Sequence, residues 1–530
     1  MCRKIWYSAL IVCFCKILFI SPVKAEEQFV VEIEKGISIF VSPDSTSTIL
    51  TVTSQKSNWT ILHTSPNYFE VSNGEIQGYV KTKESHVLFP ETVKKFEVYA
   101  ASVPYYILKN GKLLEKGNIF PGVAWKRDGQ TDEYHIIHVG NQLVYVPIEG
   151  TMPTSLEVNA SAPRKAVIPT TLLAENHLPV FSPEGERLGT YPRSYPVAIN
   201  GIDGEYAIVN FIGREAKVPF NLLYSKDLFQ GAQTVSHSEM SFYTQVIHAM
   251  YPEFTELKQI GLSLEGRAIY ALKIGKGKKE VLFDAALHAR EHMTTNVLLE
   301  MMDSYSIHYR NNASWAGYKP REVLDKVAIW FVPMMNPDGV TLVQGGMKAV
   351  KNGELARKIN GGSTNFARWK SNVRGVDLNN NFDSEWSALN VSAKKPAYHL
   401  YKGPKAFSEP ESQALRDFIN SRDFLSNMSY HTSGQVIYWF NWQKGSDLNR
   451  DVGLAGKVSR LTGYRVLDPM YLIGSGSSAD WFIQEKKRPA LTIEISPFVG
   501  DRPVPTSYWP AIWKQNHKVG MFIATEAASR

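Results

Sequence analysis

The pattern of apolar residues changes character near Gln233, and that change constrains the fold more than any other feature of the chain. Before it, residues 28–225 consist of short β-branched and aromatic runs separated by turn residues, the signature of an all-β region. After it, apolar strands alternate with helical stretches: Val281–Leu287, then Asn296–Tyr309, then Val327–Pro333. Strand, helix, strand spacing of this kind predicts an α/β domain with a mixed, mainly parallel sheet flanked by helices. One chain therefore carries two architectures.

The all-β part contains a faint repeat. Tyr68 leads to Val80, Tyr134 to Val146 and Tyr206 to Val218, twelve positions on in each case. Each stretch reads as two short strands joined by a polar turn that holds a glycine: Gly74, Gly140 and Gly213. Three small all-β barrels are expected, over residues 28–88, 93–150 and 169–228. Residues 151–168, rich in Pro, Ser, Thr and Ala, read as a linker. The second architecture then fills residues 236–530. The first unit, from Gly36-Ile-Ser-Ile-Phe-Val-Ser-Pro43 to Gly78-Tyr-Val-Lys81, resembles bacterial SH3-like domains, which often bind cell-wall peptides.

The chain's first 25 residues read as a secretory signal. Arg3 and Lys4 precede an apolar run from Ile5 to Cys15, and Ala25 closes a small-residue cleavage site. Extending that run into a membrane span would bury Lys16, at a cost of about 2.5–3.5 kcal/mol near the bilayer centre. All three cysteines, Cys2, Cys13 and Cys15, lie inside this segment. The mature chain is thus expected to have neither disulfides nor thiolate metal ligands, which fits bacterial export to the medium or the cell wall. Formal charge is +7. Loss of Arg3, Lys4, Lys16 and Lys24 leaves +3, too mild to indicate a nucleic-acid partner.

Chemistry concentrates where the strand at 281–287 runs into His288-Ala-Arg-Glu-His292. Residues at the carboxyl end of such a strand face the crevice where open α/β sheets bind ligands. An imidazole and a carboxylate three apart on a bend can share one zinc ion. The same letters also spell an inverted zincin, in which His288 and His292 would be ligands and Glu291 the base. That arrangement needs a continuous helix, whereas the helical pattern here starts only near Thr294.

Downstream follow Asn336-Pro-Asp-Gly339, Arg374-Gly-Val-Asp-Leu-Asn-Asn-Asn-Phe382, Ser429-Tyr-His-Thr432, Ser475-Gly-Ser-Ser-Ala-Asp-Trp481 and Leu491-Thr-Ile-Glu-Ile495. In this order, with His288-Ala-Arg-Glu291, they resemble the zinc carboxypeptidase family over about residues 240–525. The resemblance implies Zn2+ as cofactor, with His288, Glu291 and His431 as its ligands. It implies Glu494 as general base, and Arg290 and Lys370 as stabilisers of the tetrahedral intermediate's charge. An acid such as Glu494 amid apolar strand residues is costly unless paired or functional.

Three positions depart from the family pattern. Lys370 stands where the family has an arginine, so the charge stays but the planar fork is lost. The family's Asn-Arg grip on a terminal carboxylate is Asn379-Asn380 here, which weakens bidentate recognition. Leu472 stands where the family has a tyrosine, and Tyr471 is one place off. The segments His288–Asn296 and Arg368–Asn372 resemble a bacterial branch that cleaves between γ-D-glutamate and meso-diaminopimelate in peptidoglycan stem peptides. The expected activity is therefore zinc-dependent hydrolysis of that bond. The alternatives are an ordinary metallocarboxypeptidase and a non-enzymatic wall-binding protein.

Overall fold

The computed structural model describes residues 29–166, 168–391, 393–471 and 474–530. The expected signal segment, its cysteines and Leu472 lie outside these. The chain divides into two compact bodies, one of residues 1–160 and 186–189, the other of residues 161–185 and 190–530.

In the first body, Val30–Ile33, Ser38–Phe40, Ile49–Val52, Ser57–Thr64, Tyr68–Ser72, Gln77–Lys81 and Ser85–Val87 form one seven-stranded antiparallel sheet. Burial alternates along Val30–Ile33, Tyr68–Ser72 and Gln77–Lys81, and Val31, Ile33, Trp59, Phe69, Val71 and Val80 close a small core. The spacing repeat proves to be a repeated hairpin. Phe69 faces Val80, His135 faces Val146 and Ala207 faces Val218 in three antiparallel ladders, the last of them in the second body. Gly74, Gly140 and Gly213 take positive φ at the three turns, where a side chain would be strained.

The expected linker is only partly one. Thr151–Pro153 is a buried strand paired with Lys95–Val98. Thr151 looks like linker material by composition, but its hydroxyl donates to the Ile148 carbonyl at 2.6 Å and lies 2.8 Å from His135 Nε2. Further on, Arg164 makes a two-pronged bond to Glu215.

The second body holds an eight-stranded sheet whose strands we number β1 (Thr255–Leu262), β2 (Ala268–Ile274), β3 (Lys279–Ala285), β4 (Val327–Val332), β5 (Phe424–Thr432), β6 (Val436–Tyr438), β7 (Arg465–Val466) and β8 (Ala490–Ile495). Their spatial order is β1-β2-β4-β3-β5-β8-β6-β7. The sheet is mixed, but it is parallel mainly in its middle: β4, β3, β5 and β8 run together, as do β6 and β7. The pairings β1–β2, β2–β4 and β8–β6 are antiparallel. The central strands are buried on both faces, β4 along its whole length. Helix α1 (His237–Met250) starts on a capping box between Ser236 and Glu239, and α2 (Met293–Arg310) follows β3.

Candidate metal centre and active site

β3 delivers His288 to the carboxyl edge of the sheet, and a single 3-10 turn over Ala289–Glu291 follows. Side chains three apart nearly eclipse in such a turn, so His288 and Glu291 project together. His288 Nδ1 lies 3.0 Å from Glu291 Oε1. His431, one residue before the end of β5, places its Nδ1 3.0 Å from Glu291 Oε2 and 3.2 Å from His288 Nδ1. One ligand atom from each residue falls within 4.8 Å of the others, and all three are buried. Tetrahedral zinc with bonds of about 2.0–2.1 Å separates neighbouring ligand atoms by roughly 3.3 Å, close to these spacings. Two imidazole nitrogens and a carboxylate are the donor set of a catalytic zinc site with an open position. His292 is not part of the cluster, and its Nδ1 is buried without a partner among the described residues. The inverted zincin reading is thereby removed.

Electrostatics agree with a site built for a cation. Burial opposes a charged imidazole, but Glu291 and Asp377 raise His288 to about 9. Burial likewise opposes the Glu291 carboxylate, yet His288 and Lys370 hold it well below the usual range. Asp377 accepts at 3.0 Å from His288 Nε2 and is drawn down to about 2 despite its burial. Such backing fixes the imidazole with Nδ1 toward the metal position. The Thr432 backbone N–H donates to Glu291 Oε2 at 3.0 Å, and Lys370 Nζ lies 2.9 Å from Glu291 Oε1.

Glu494 reaches the same place through strand register. It is the direct partner of His431 across the parallel β5–β8 pair, so both side chains leave the same face side by side. Burial and the Glu291 charge raise its carboxyl to about 7. Its Oε2 is buried with no partner among the described residues. Beside it opens a cavity of about 230 Å³ whose lining includes Asn379, Tyr438, Met470, Asp468, Asp480 and Glu494. The helix over Ser478–Lys486, capped by the Ser477 hydroxyl, brings Asp480 to this wall.

Not every expected residue joins the centre. Arg290 is tied to Asp501 at 2.8 Å and to the Arg368 carbonyl at 3.0 Å. Asn379 lines the cavity, its Oδ1 accepting from the Ser478 N–H. Asn380 does not line it: its amide donates to the Asn379 and Ser475 carbonyls, which makes it a loop fastener. Tyr471 is 66% exposed and packs edge-on against Phe440 and Trp442 at the rim instead of lining the cavity. Asp377 was missed by sequence reasoning, although it stands two places before Asn379 in a motif already singled out. Asn336 also gains a role. It caps the helix Pro337–Gly345 and donates to the Leu287 and Ser371 carbonyls, fastening the end of β3 to the Lys370 segment.

Comparison with known proteins gives the same picture. Residues 240–518 match the zinc carboxypeptidase family. The chain is 32% identical over 302 residues to gamma-D-glutamyl-L-diamino acid endopeptidase 1 of Lysinibacillus sphaericus, covering 56% of this chain and 73% of that protein. It is 31% identical over 265 residues to the uncharacterised protein YqgT of Bacillus subtilis, covering 49% of this chain and 69% of that one. Among solved structures, bovine thrombin-activatable fibrinolysis inhibitor aligns at 21% identity and a TM-score of 0.46, over 56% of this chain and 99% of that chain. With a complete His-Glu-His ligand set for Zn2+ and a matching family domain, this chain belongs to the zinc carboxypeptidase family and is a zinc-dependent metallopeptidase.

Proposed function

We propose that the protein hydrolyses the bond between γ-D-glutamate and a diamino acid, meso-diaminopimelate in peptidoglycan stem peptides, after export to the wall. One observation carries this reading: the cavity beside Glu494 is lined by three acids, Asp468, Asp480 and Glu494, and by no lysine or arginine among the described residues. The wall holds no guanidinium to fork a peptide's terminal carboxylate, and Asn380 stands where the family arginine would have supplied one. An ammonium group on a diamino acid side chain, in contrast, meets carboxylates. The Ser475 and Ser477 hydroxyls are held by Asp480, and the Asn379 side-chain NH2 is left to meet a second carboxylate on that side chain. The relative from Lysinibacillus sphaericus, named for a γ-D-glutamyl-L-diamino acid bond, supports the same choice.

The residues divide the work as follows. Zn2+ supplies Lewis acidity toward a carbonyl and lowers the pKa of water, and His288, Glu291 and His431 would hold it. Glu494 takes the proton of the attacking water and passes it to the leaving amine, a role that a raised carboxyl pKa suits. Lys370 places a half-buried positive charge beside Glu291, ready for the developing oxyanion. We take the N-terminal β units for SH3-like wall-binding barrels and residues 1–25 for an export signal, and both agree with a wall substrate.

The test is mass spectrometry of L-Ala-γ-D-Glu-meso-diaminopimelate, with and without D-Ala, incubated with the protein and zinc. Release of L-Ala-D-Glu, abolished by chelator and by Glu494→Gln, is the expected result. Loss of a C-terminal residue from ordinary L-peptides, with the stem peptide intact, would replace this reading with carboxypeptidase activity.

A further inference from the structure

His431 presents Nδ1 to Glu291 and His288, and its other ring nitrogen, Nε2, lies 3.3 Å from the Ser429 hydroxyl. Ser429 sits two residues earlier on β5 and points to the same face. Its single proton is committed elsewhere: the hydroxyl donates to Asp284 Oδ1 at 2.7 Å. Asp284 belongs to β3 and is Ser429's direct partner in the parallel β3–β5 ladder. A hydroxyl that gives away its proton can only accept from the imidazole. His431 therefore carries its hydrogen on Nε2, and the Nδ1 lone pair is left for a metal.

Asp284 has the Asn427 side chain beside it as well. It is fully buried, and among the described residues its Oδ2 has no close hydrogen bond and no ion pair includes it. A buried carboxylate without a compensating charge is unfavourable. The path from Asp284 through Ser429 and His431 leads to the one place where a cation is expected. The second imidazole of the centre, His288, is backed directly by Asp377.

We propose that Ser429 and Asp284 are positioning residues of the metal centre. Their hydrogen-bonded relay fixes the tautomer and orientation of His431, and puts a buried negative charge behind it that tightens zinc binding. The inference rests on the His288–Glu291–His431 site alone and is independent of the substrate.

Zinc affinity of the full chain decides it, measured with zinc alone by competition against a chromogenic chelator. Ser429→Ala and Asp284→Asn are each expected to weaken zinc by about 10–100-fold, the range for lost outer-shell partners. Because both act through one relay, the double variant should lose little more than either single one. Circular dichroism and melting of the metal-free proteins establish which variants are folded. If Asp284→Asn does not fold, Ser429→Ala, which removes one buried oxygen, decides alone. A folded variant that binds zinc within twofold of the parent overturns the proposal. So does a double variant whose loss is the product of the two single losses.

Discussion

Glu494 is buried beside Glu291, with one oxygen that meets nothing among the described residues, and a carboxyl raised to about 7. In the proposed role of general base it works only when ionised. Glu494→Gln should lower kcat by about 10²–10⁴-fold while zinc content, read by elemental analysis, stays that of the parent. Loss of less than tenfold would remove Glu494 from proton transfer. A bound cation favours the carboxylate, so the acid limb of kcat/KM is expected between 4.5, the ordinary value, and about 7, with activity rising as pH rises through it. Asp377→Asn should cost about 10–100-fold in zinc affinity, because the amide can no longer accept with the strength of a carboxylate behind His288. The His288, Glu291 and His431 cluster was legible in the sequence through ordered motifs that resemble the zinc carboxypeptidase family, and Glu494, expected in the same way, is brought beside it. Asp377, Ser429 and Asp501 were not legible, because what defines them is a partner brought close in space: His288, Asp284 and Arg290.

At the scale of elements, the cavity wall depends on residues 474–477, just before the helix Ser478–Lys486. Gly476 takes φ +65, and a Cβ there would come within 2.6 Å of the Asn380 carbonyl oxygen. Gly476→Ala should therefore displace Ser475 and Ser477, raising KM for the stem peptide more than it lowers zinc affinity. Steady-state kinetics beside a zinc titration would separate the two, and an unchanged KM would show that this wall does not touch substrate. Long elements were readable: the expected strand Val327–Pro333 became Val327–Val332, and the expected helix Asn296–Tyr309 became Met293–Arg310. The antiparallel margins were not. β6 and β7 have three and two residues, too few to carry a period, and strand order is set by pairing partners that lie far apart in the chain. Thr151–Pro153 was missed for a similar reason, since its pairing with Lys95–Val98 leaves no local trace.

On the scale of the whole second body, α2 carries Asp303 against the segment that precedes α1, accepting from the Leu228 and Phe229 N–H groups. Burial raises Asp303 to about 7, above its ordinary 3.8. A raised carboxyl favours the folded state fully at low pH, and that contribution is lost as pH rises through the folded value. The melting temperature should therefore fall between pH 5 and pH 8.5, and Asp303→Asn should flatten the fall. A parallel shift of both proteins would place the pH sensitivity elsewhere. The register that pairs His431 with Glu494 has a consequence for how this enzyme fails. Its reacting groups are anchored to one rung of a buried parallel ladder in the middle of the sheet, where amide hydrogens are expected to exchange only on global opening. Heat inactivation should thus share one midpoint with the cooperative melt. The turn around Gly476 lies outside that ladder and can loosen first, so a warmed enzyme would lose selectivity for its substrate before it loses the ability to hydrolyse a peptide bond.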